Sequence, residues 1–474
     1  MIINESFGIM CLSSYLKEKG HEVELIMMSD YINYQELTND VRNISPDLIG
    51  FSVMTEQAQE YEKLTNYLKD NIDCLIGWGG PHPTFMPEVT AKVEGVDFIS
   101  IGEAEETLLE LMNRLTSKNR SFENLEGFWI RNGPSGWIKN PVAHLQHIEK
   151  YPFPDRALYF DKYEVLRNFS MKRFFTGRGC PYNCNYCCDP VLKTVYTGKG
   201  KLVRYYSVDY IIRDILNVIQ KYPTKSIRFA DDNINLGGES WLKEFAIKYK
   251  EKVNIPFTCN LVAASINEEQ IRLLKEAGCC GVTFGLESGV EEIRLNILNK
   301  KVKDSHYFKA ARMLRKYSIK YMTFNMFLLP SERLDDAIKT LQFNKKLKVH
   351  GVRLSILKIF KGTKLAEYVK IHDLVEDEGL YTLKAKDLYN EHTKMRNIIW
   401  CGYFLVKFPL LMYFAKIILS TPITNIFKLL FLFTYWQEMT FFKISPWIAW
   451  RYFWATRKVL ISGIANEQKD VYKK

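Results

Sequence analysis

Hydrophobic and polar positions alternate along the first 118 residues in two periods. "FGIMCLSSYLKEKG" carries its apolar residues at helical spacing and stops at Gly20, so it predicts an amphipathic helix. "HEVELIMM" predicts a strand, "DLIGFSVM" a short apolar strand, and residues 56–70 a further helix. "DCLIGWGG" predicts a strand running into a glycine turn, "VDFISIGE" a fourth strand, and "EAEETLLELMNRL" a closing helix. Strands alternating with helices predict a parallel, doubly wound sheet. Ligands of such sheets bind beyond the carboxyl ends of the strands, where "GGPHPTFMPE" lies.

The pattern is mixed from 119 to 170. "GFWIRNGPSGWI" predicts a small hairpin around Gly133, Pro134, Ser135 and Gly136, and "YPFPDRALY", with two prolines and no helical period, predicts a linker. A second alternation starts at "RFFTGRG". Its strand candidates are Arg173–Gly177, Ser226–Ala230, Phe257–Leu261, Gly281–Leu286, Tyr321–Leu328 and Val352–Leu357, separated by helical stretches such as "SVDYIIRDILNVIQKY". Six such units are fewer than a closed barrel needs, so a partial, open-sided parallel barrel is expected, with its active site at the strand carboxyl ends. Residues 371–474 are expected to be helical. Within them "IIWCGYFLVKFPLLMYFAKIILSTPITNIFKLLFLFTYW" is rich in apolar residues but broken by Lys407, Lys416 and Lys428. No window reaches the roughly 18 uncharged apolar residues of a spanning helix. Lysine-studded apolar helices suit either a membrane interface, here through residues 398–460, or packing on the barrel.

The length of 474 residues sets a prior of roughly three domains of about 150 residues each. The net charge of +11 invites an anionic partner. No zinc-finger, helix-turn-helix or RNA-binding signature accompanies it, so nucleic acid is not expected. The opening "MIINESFGIMCLSSYLKEKG" lacks the features of a secretory signal, so a reducing, cytoplasmic setting is expected, with a peripheral position on the inner face of the membrane. Ten cysteines at this length are not a disulfide scaffold. Clustered cysteines in a reducing compartment bind metal or do chemistry.

Four cysteines fall within residues 180–188, in "TGRGCPYNCNYCCDP". Cys180, Cys184 and Cys187 have CxxxCxxC spacing, and Cys188 adjoins the last. A structural zinc site needs a fourth closed ligand, commonly from a second cysteine pair, and none follows. Cys279 and Cys280 are distant and adjacent, and are read as packing residues. Three thiolates can instead hold a 4Fe-4S cluster with one iron left open to a ligand.

The loop "GRGCPYNCNYC", following the first strand of a partial barrel and with Tyr186 before its last cysteine, resembles that of the radical SAM enzymes. The resemblance implies that Cys180, Cys184 and Cys187 hold a 4Fe-4S cluster, with Tyr186 beside it. The open iron would bind S-adenosylmethionine, which the reduced cluster cleaves to a 5′-deoxyadenosyl radical. "IRFADDNINL" resembles the family's second-strand segment, which would place Asp231, Asp232 and Asn233 near the methionine amino group, unless Asp232 and Asn233 simply cap the next helix. "AGCCGVTFGLESG" resembles the fourth strand, with Glu287 and Ser288 facing the ribose. "SFGIMCLSSYLKEKGHEVELI", "GWGGPHPTFMPE" and "VDFISIGEAEETLLEL" resemble the doubly wound, flavodoxin-like cobalamin-binding domain that precedes the barrel in one branch of the family. That implies a cobalamin site around Gly79, Gly80, Pro81, His82 and Thr84, with an electron donor such as flavodoxin or ferredoxin as partner. "YPFPDRALY" and "KIFKGTKLAEY" resemble the linker and the segment after the sixth strand, so the resemblance covers about residues 6–370. The expected domains are therefore 1–118, 119–170, 171–370 and 371–474.

The chain departs from the pattern in three places. Only "MIINE" precedes "SFG", where the family has an apolar strand, so either the start lies upstream or the domain is trimmed. There is no DxHxxG motif for a cobalt-ligating histidine, and His82 is a weak substitute. The fifth strand ends in "NMFLLPSER", with Ser331 where relatives have glycine, and "CNLVAASI" lacks an arginine that relatives carry on the third strand. The resemblance implies cobalamin-dependent methyl transfer, and the apolar basic tail points it at an unactivated carbon of a lipid-like or membrane-associated substrate. A radical cyclase without methyl transfer and a non-enzymatic cobalamin- or metal-binding module are the alternatives.

Overall fold

The computed structural model describes residues 5–117, 121–133, 136–379, 382–421 and 441. One compact unit contains Met1–Arg167 and Val191–Leu202, and a second contains Asn168–Pro190 and the described residues from Val203.

In the first unit, β1 (Leu48–Ser52), β2 (Leu75–Gly79) and β3 (Phe98–Ser100) are parallel. The hairpin of β4 (Phe128–Asn132) and β5 (Gly136–Lys139) continues the sheet antiparallel, in the order β1-β2-β3-β4-β5. The middle of its predicted turn, residues 134 and 135, lies outside the described residues. The helices Phe7–Glu18, Ala58–Asn71 and Glu105–Thr116 form where the apolar spacing places them, and Tyr34–Ile44 is a further helix that the sequence reading did not anticipate. Ser6 and Asn33 cap Phe7–Glu18 and Tyr34–Ile44 by accepting the N–H groups of Ile9 and Glu36. Leu37, Val41, Leu64, Leu68 and Ile76 close one core, and Phe98, Leu111, Leu125, Phe128 and Ile130 another.

The expected strand over residues 21–28 does not form. Among the described residues no strand precedes the helix Phe7–Glu18, and β1 is the edge of the sheet. The segment therefore lacks a neighbour to hydrogen-bond with. Leu25 is buried all the same, and its carbonyl accepts from the Lys162 ammonium instead of a ladder partner.

All six expected strands of the second unit form: β6 (Met171–Phe174), β9 (Ser226–Phe229), β10 (Phe257–Asn260), β11 (Cys279–Glu287), β12 (Lys320–Phe327) and β13 (Gly351–Ile356). Every neighbouring pair is parallel, and the order β13-β12-β11-β10-β9-β6 follows the chain. Two-residue strands β7 (Gly177–Arg178) and β8 (Arg204–Tyr205) pair antiparallel between β6 and β9. Phe229 packs on Phe245, Tyr249 and Phe257, which fixes the helix-covered face of β9 and β10. After β13 come β14 (Ile359–Phe360), β15 (Val375–Glu378) and β16 (Thr382–Ala385), a small antiparallel sheet.

One departure from the family pattern has a structural answer. Ser331 replaces glycine yet keeps a left-handed φ of 62°, so the turn after β12 is retained at some backbone strain. Beside it the buried carboxylate of Glu332 accepts the N–H of Leu329 at 3.1 Å. Within the apolar C-terminal region, the helix His392–Lys407 buries Met395, Ile398, Cys401, Leu405 and Val406. Its Gly402 lies close against Leu354 of β13 and Leu341 of the helix Leu334–Leu347. No helix among the described residues is long and apolar enough to cross a membrane. Of the expected interfacial region, residues 422–440 and 442–460 lie outside the described residues.

Gly289, just past β11, sits where a Cβ would come within 2.5 Å of the Thr340 Cα and 2.9 Å of the Lys339 carbonyl. Its N–H donates to the Thr340 hydroxyl at 2.8 Å. Gly289→Ala is expected to lower stability by about 1–3 kcal/mol by forcing that helix outward. Urea unfolding measures it, and an unchanged midpoint would mean the contact yields freely.

Candidate active site

The cysteine loop leaves the sheet directly after β6, and one buried carboxylate fixes its departure. Oδ1 of Asp231, at the end of β9, accepts the N–H groups of Thr176 at 2.6 Å and Gly177 at 3.0 Å. Burial pushes the Asp231 carboxyl up to about 7, against the lowering effect of those bonds. Cys180, Cys184 and Cys187 are half-buried and free of disulfides, while Cys188 is exposed. Burial raises the Cys180 thiol to about 12 and raises Cys184 as well. These are thiols that need a cation at the site to ionise. Cys187 Sγ donates to Asp189 at 3.3 Å, and the ligand atoms of Cys180, Asp189 and Asp232 lie within 4.8 Å of one another. Burial, then the charge of Asp189, raises Asp232 to about 6. Cys279 and Cys280 sit elsewhere: Cys279 is buried 4.0 Å from Cys259, and Cys280 donates to the Phe257 carbonyl.

The loop is also docked from the other side. Asn185 N and Nδ2 donate to the carbonyls of Leu298 and Ile297, both at 2.9 Å, and Asn299 Nδ2 donates to Asn183 O at 2.8 Å. Tyr186 donates to Oε1 of Glu287 at 3.1 Å, so two of the predicted residues meet directly. Lys300 completes the group, with its ammonium 3.0 Å from the same oxygen and 3.2 Å from the tyrosine oxygen. Burial opposes the Lys300 charge, and Tyr186 and Glu287 outweigh it, so its pKa is raised. Ser288 is placed differently from Glu287. It is fully buried, its hydroxyl accepts the Val290 N–H at 3.2 Å, and its carbonyl accepts from Arg294. Arg294 is itself fully buried and paired with Asp304. Sequence reasoning missed Asp189, Arg294 and Lys300. Asp189 stands beside the cysteines, but nothing in "IRLNILNKKVKD" marks the other two.

The donors present fit a 4Fe-4S cluster and its ligand. Three cysteines free of disulfides, Cys180, Cys184 and Cys187, lie on one loop. In the adjacent segment, Oδ2 of Asp231 and Oδ1 of Asn233 are buried without a hydrogen-bond partner, acceptors suited to an amino group.

In the first unit, the expected cobalamin residues build a tight turn at the end of β2. Gly80 has φ 92°, and a Cβ there would come within 3.1 Å of the Val53 nitrogen. Val53 N donates to Gly79 O at 2.8 Å, and His82 N, one residue past Pro81, donates to Val53 O at 3.0 Å. Thr84 Oγ1 donates to Gly80 O at 2.8 Å and accepts from Gly102 N at 2.9 Å. His82 is fully buried, 3.3 Å from the Thr55 hydroxyl and edge-on to Trp78. Glycine at position 80 lets the turn pack on Val53, and the turn stands at the carboxyl end of β2, the edge where ligands of such sheets bind.

Residues 174–343 match the Radical SAM superfamily, and residues 3–112 match the B12 binding domain. An uncharacterised methyltransferase of Pyrococcus horikoshii is 26% identical, over 78% of this chain and 79% of that protein. The cytidylyl-2-hydroxyethylphosphonate methyltransferase of Streptomyces wedmorensis is 23% identical, over 65% and 66%. The anaerobic magnesium-protoporphyrin IX monomethyl ester cyclase of Synechocystis is 23% identical, over 66% and 62%. Among solved structures, the cobalamin-dependent S-adenosylmethionine radical enzyme OxsB with aqua-cobalamin bound is similar at TM-score 0.71 and 16% identity, over 99% of this chain and 79% of that one. The radical S-adenosylmethionine methyltransferase TsrM of Kitasatospora setae gives 0.63 and 17%, over 79% and 73%.

Burial lowers His82 from 6.5 to about 4, so the folded protein holds it neutral. As pH falls, the unfolded chain binds the proton first. The stabilisation is therefore complete above pH 6.5 and is lost towards pH 4, by up to about 3 kcal/mol. The melting temperature of the wild type is expected to fall more steeply from pH 7 to pH 5 than that of His82→Gln. Parallel profiles would contradict a buried neutral imidazole.

Proposed function

The chain belongs to the radical SAM enzymes that carry a B12-binding domain, with a 4Fe-4S cluster, S-adenosylmethionine and cobalamin as cofactors, and we propose that it transfers a methyl group to an unactivated carbon. When bound, the cluster supplies reductive cleavage of S-adenosylmethionine to a 5′-deoxyadenosyl radical, and cobalamin supplies a methyl carrier. The protein's own share is placement. Cys180, Cys184 and Cys187 would hold the cluster's iron. Asp231 fixes where their loop begins, and its free oxygen, with that of Asn233, offers acceptors to an amino group. The open oxygen of Glu287 offers another to a hydroxyl. The backbone turn from Gly79 to Thr84 cradles the cobalamin. A low-potential donor of the flavodoxin or ferredoxin kind supplies electrons, in the cytoplasm. The observation that carries this reading is the three-thiol loop pinned by Asp231 at the end of the first strand of a parallel sheet.

Methyl transfer predicts S-adenosylhomocysteine beside 5′-deoxyadenosine when the anaerobically reconstituted protein turns over with S-adenosylmethionine and a reductant, and loss of deoxyadenosine in Cys184→Ala. Deoxyadenosine alone with a true substrate would favour a cyclase-type reaction. No deoxyadenosine at all would sink the radical reading.

The substrate is proposed to be lipid-like, met by peripheral contact on the inner face of the membrane. Leu410, Tyr413, Phe414 and Ile417 are exposed, and Tyr413 borders a groove shared with Lys345, Lys346, Lys348, Pro409 and Met412. Apolar side chains next to ammonium groups suit an anionic lipid interface. The protein should co-sediment with anionic vesicles at low salt, and Leu410→Glu combined with Ile417→Glu should abolish this. Equal recovery in the supernatant with and without vesicles would refute it.

A further inference from the structure

We propose that Lys300 is a positioning residue for S-adenosylmethionine, because its ammonium ties Tyr186 of the cysteine loop to Glu287 at the end of β11 and leaves the second Glu287 oxygen free to accept from the ligand. The proposal rests on reading Glu287 as a ligand contact.

The geometry is closed and self-consistent. Oε1 of Glu287 accepts from both the Tyr186 hydroxyl and the Lys300 ammonium, and the tyrosine oxygen accepts from Lys300 in turn. Among the described residues, Oε2 accepts no hydrogen bond. Both charged side chains are largely buried, at 12% and 9% exposure, where removing one partner of an ion pair is costly. The pair needs room that only glycine leaves. A Cβ on Gly285 would stand 2.0 Å from Oε1 and 2.6 Å from the ammonium. Glu287 also holds a left-handed φ of 66°, a strained backbone for a side chain that does no more than pack. Lys300 is fixed at its own backbone, donating to Arg294 O at 2.8 Å and accepting from Val302 N at 2.7 Å. Its chain position is thus set by the same segment that docks Asn185 between the second and third cysteines.

Such a residue supplies no thiolate and acts through Glu287 and Tyr186. Its loss removes one of the two donors that hold Oε1 of Glu287, and that carboxyl is free to turn away. That displaces an acceptor without removing a cysteine.

The test compares Lys300→Met, Lys300→Arg, Glu287→Gln and the double variant Glu287→Gln with Lys300→Met in the reconstituted full chain. Two quantities are read: iron and sulfide bound per chain, and the dissociation constant for S-adenosylmethionine from its effect on the electron paramagnetic resonance of the reduced cluster. Lys300→Met is expected to keep its cluster and bind S-adenosylmethionine about 10- to 100-fold more weakly, with partial rescue in Lys300→Arg. The double variant, which buries no lone charge, keeps the test open if Lys300→Met fails to fold. It should bind no more weakly than Glu287→Gln alone. Wild-type affinity in a cluster-loaded Lys300→Met, or in the double variant, overturns the proposal. Wild-type affinity in Glu287→Gln overturns the reading of Glu287 itself. Weak binding there with normal binding in Lys300→Met overturns only the role of the lysine.

Discussion

The site depends on one constraint: six parallel strands whose spatial order is their chain order. That order brings every strand's carboxyl end to one edge of the sheet, so residues from distant parts of the chain meet there. The Asp231 carboxylate turns this coarse alignment into a fixed starting point. It leaves β9 and holds the two N–H groups that follow β6, which would otherwise be unpaired at the strand end. A loop of free thiols has little secondary structure of its own. Its shape is borrowed from this bond at one end and from the carbonyls of residues 297 and 298 at the other.

The same edge shows a division of labour inside a short motif. In Glu-Ser-Gly, the sequence reading assigns both Glu287 and Ser288 to the ribose. Among the described residues, the glutamate has an oxygen that accepts no hydrogen bond, while the serine hydroxyl already accepts one from Val290 N–H. The serine caps its own turn, and the glycine lets a helix backbone approach closely. The motif therefore combines one candidate ligand contact with two packing demands, and those demands explain why a polar triplet ends a buried strand. Arg294 extends the logic. Its guanidinium lies over the Tyr307 ring and reaches the Ser288 and Val302 carbonyls as well as Asp304, so the segment that supplies Lys300 is rigid.

Much of this was legible because it is local. Apolar periodicity marks the six strands, since each has two faces with different neighbours, and CxxxCxxC spacing marks the metal loop, since chelation requires proximity along the chain. The failures are non-local. Residues 21–28 have strand composition, but a strand exists only beside another strand, and the segment's own composition says nothing of its neighbours. Lys300 stands in an unremarkable "NKK", and its partners lie 13 and 114 positions away. Buried ion pairs of this kind leave no periodic trace. Ser331 misled in the opposite direction, because a serine can hold a backbone geometry that usually selects glycine.

The apolar C-terminal stretch shows why composition alone assigns no destination to greasy residues. Pro409 ends the helix His392–Lys407, since the residue before a proline resists helical geometry, and Phe408 is extended. Before the break, the apolar side chains are buried in the second unit. After it, many are exposed. The lysines that suggested an interfacial helix are partly spoken for: Lys407 donates to the Val349 carbonyl at 3.2 Å, and Lys416 pairs with Asp335 at 2.6 Å. Among the described residues, Lys345, Lys346 and Lys348, on the helix Leu334–Leu347 and just after it, share a groove with Pro409, Met412 and Tyr413. Among the described residues, ammonium groups bordering the exposed apolar side chains thus come from outside the apolar stretch, and the fold brings the two together.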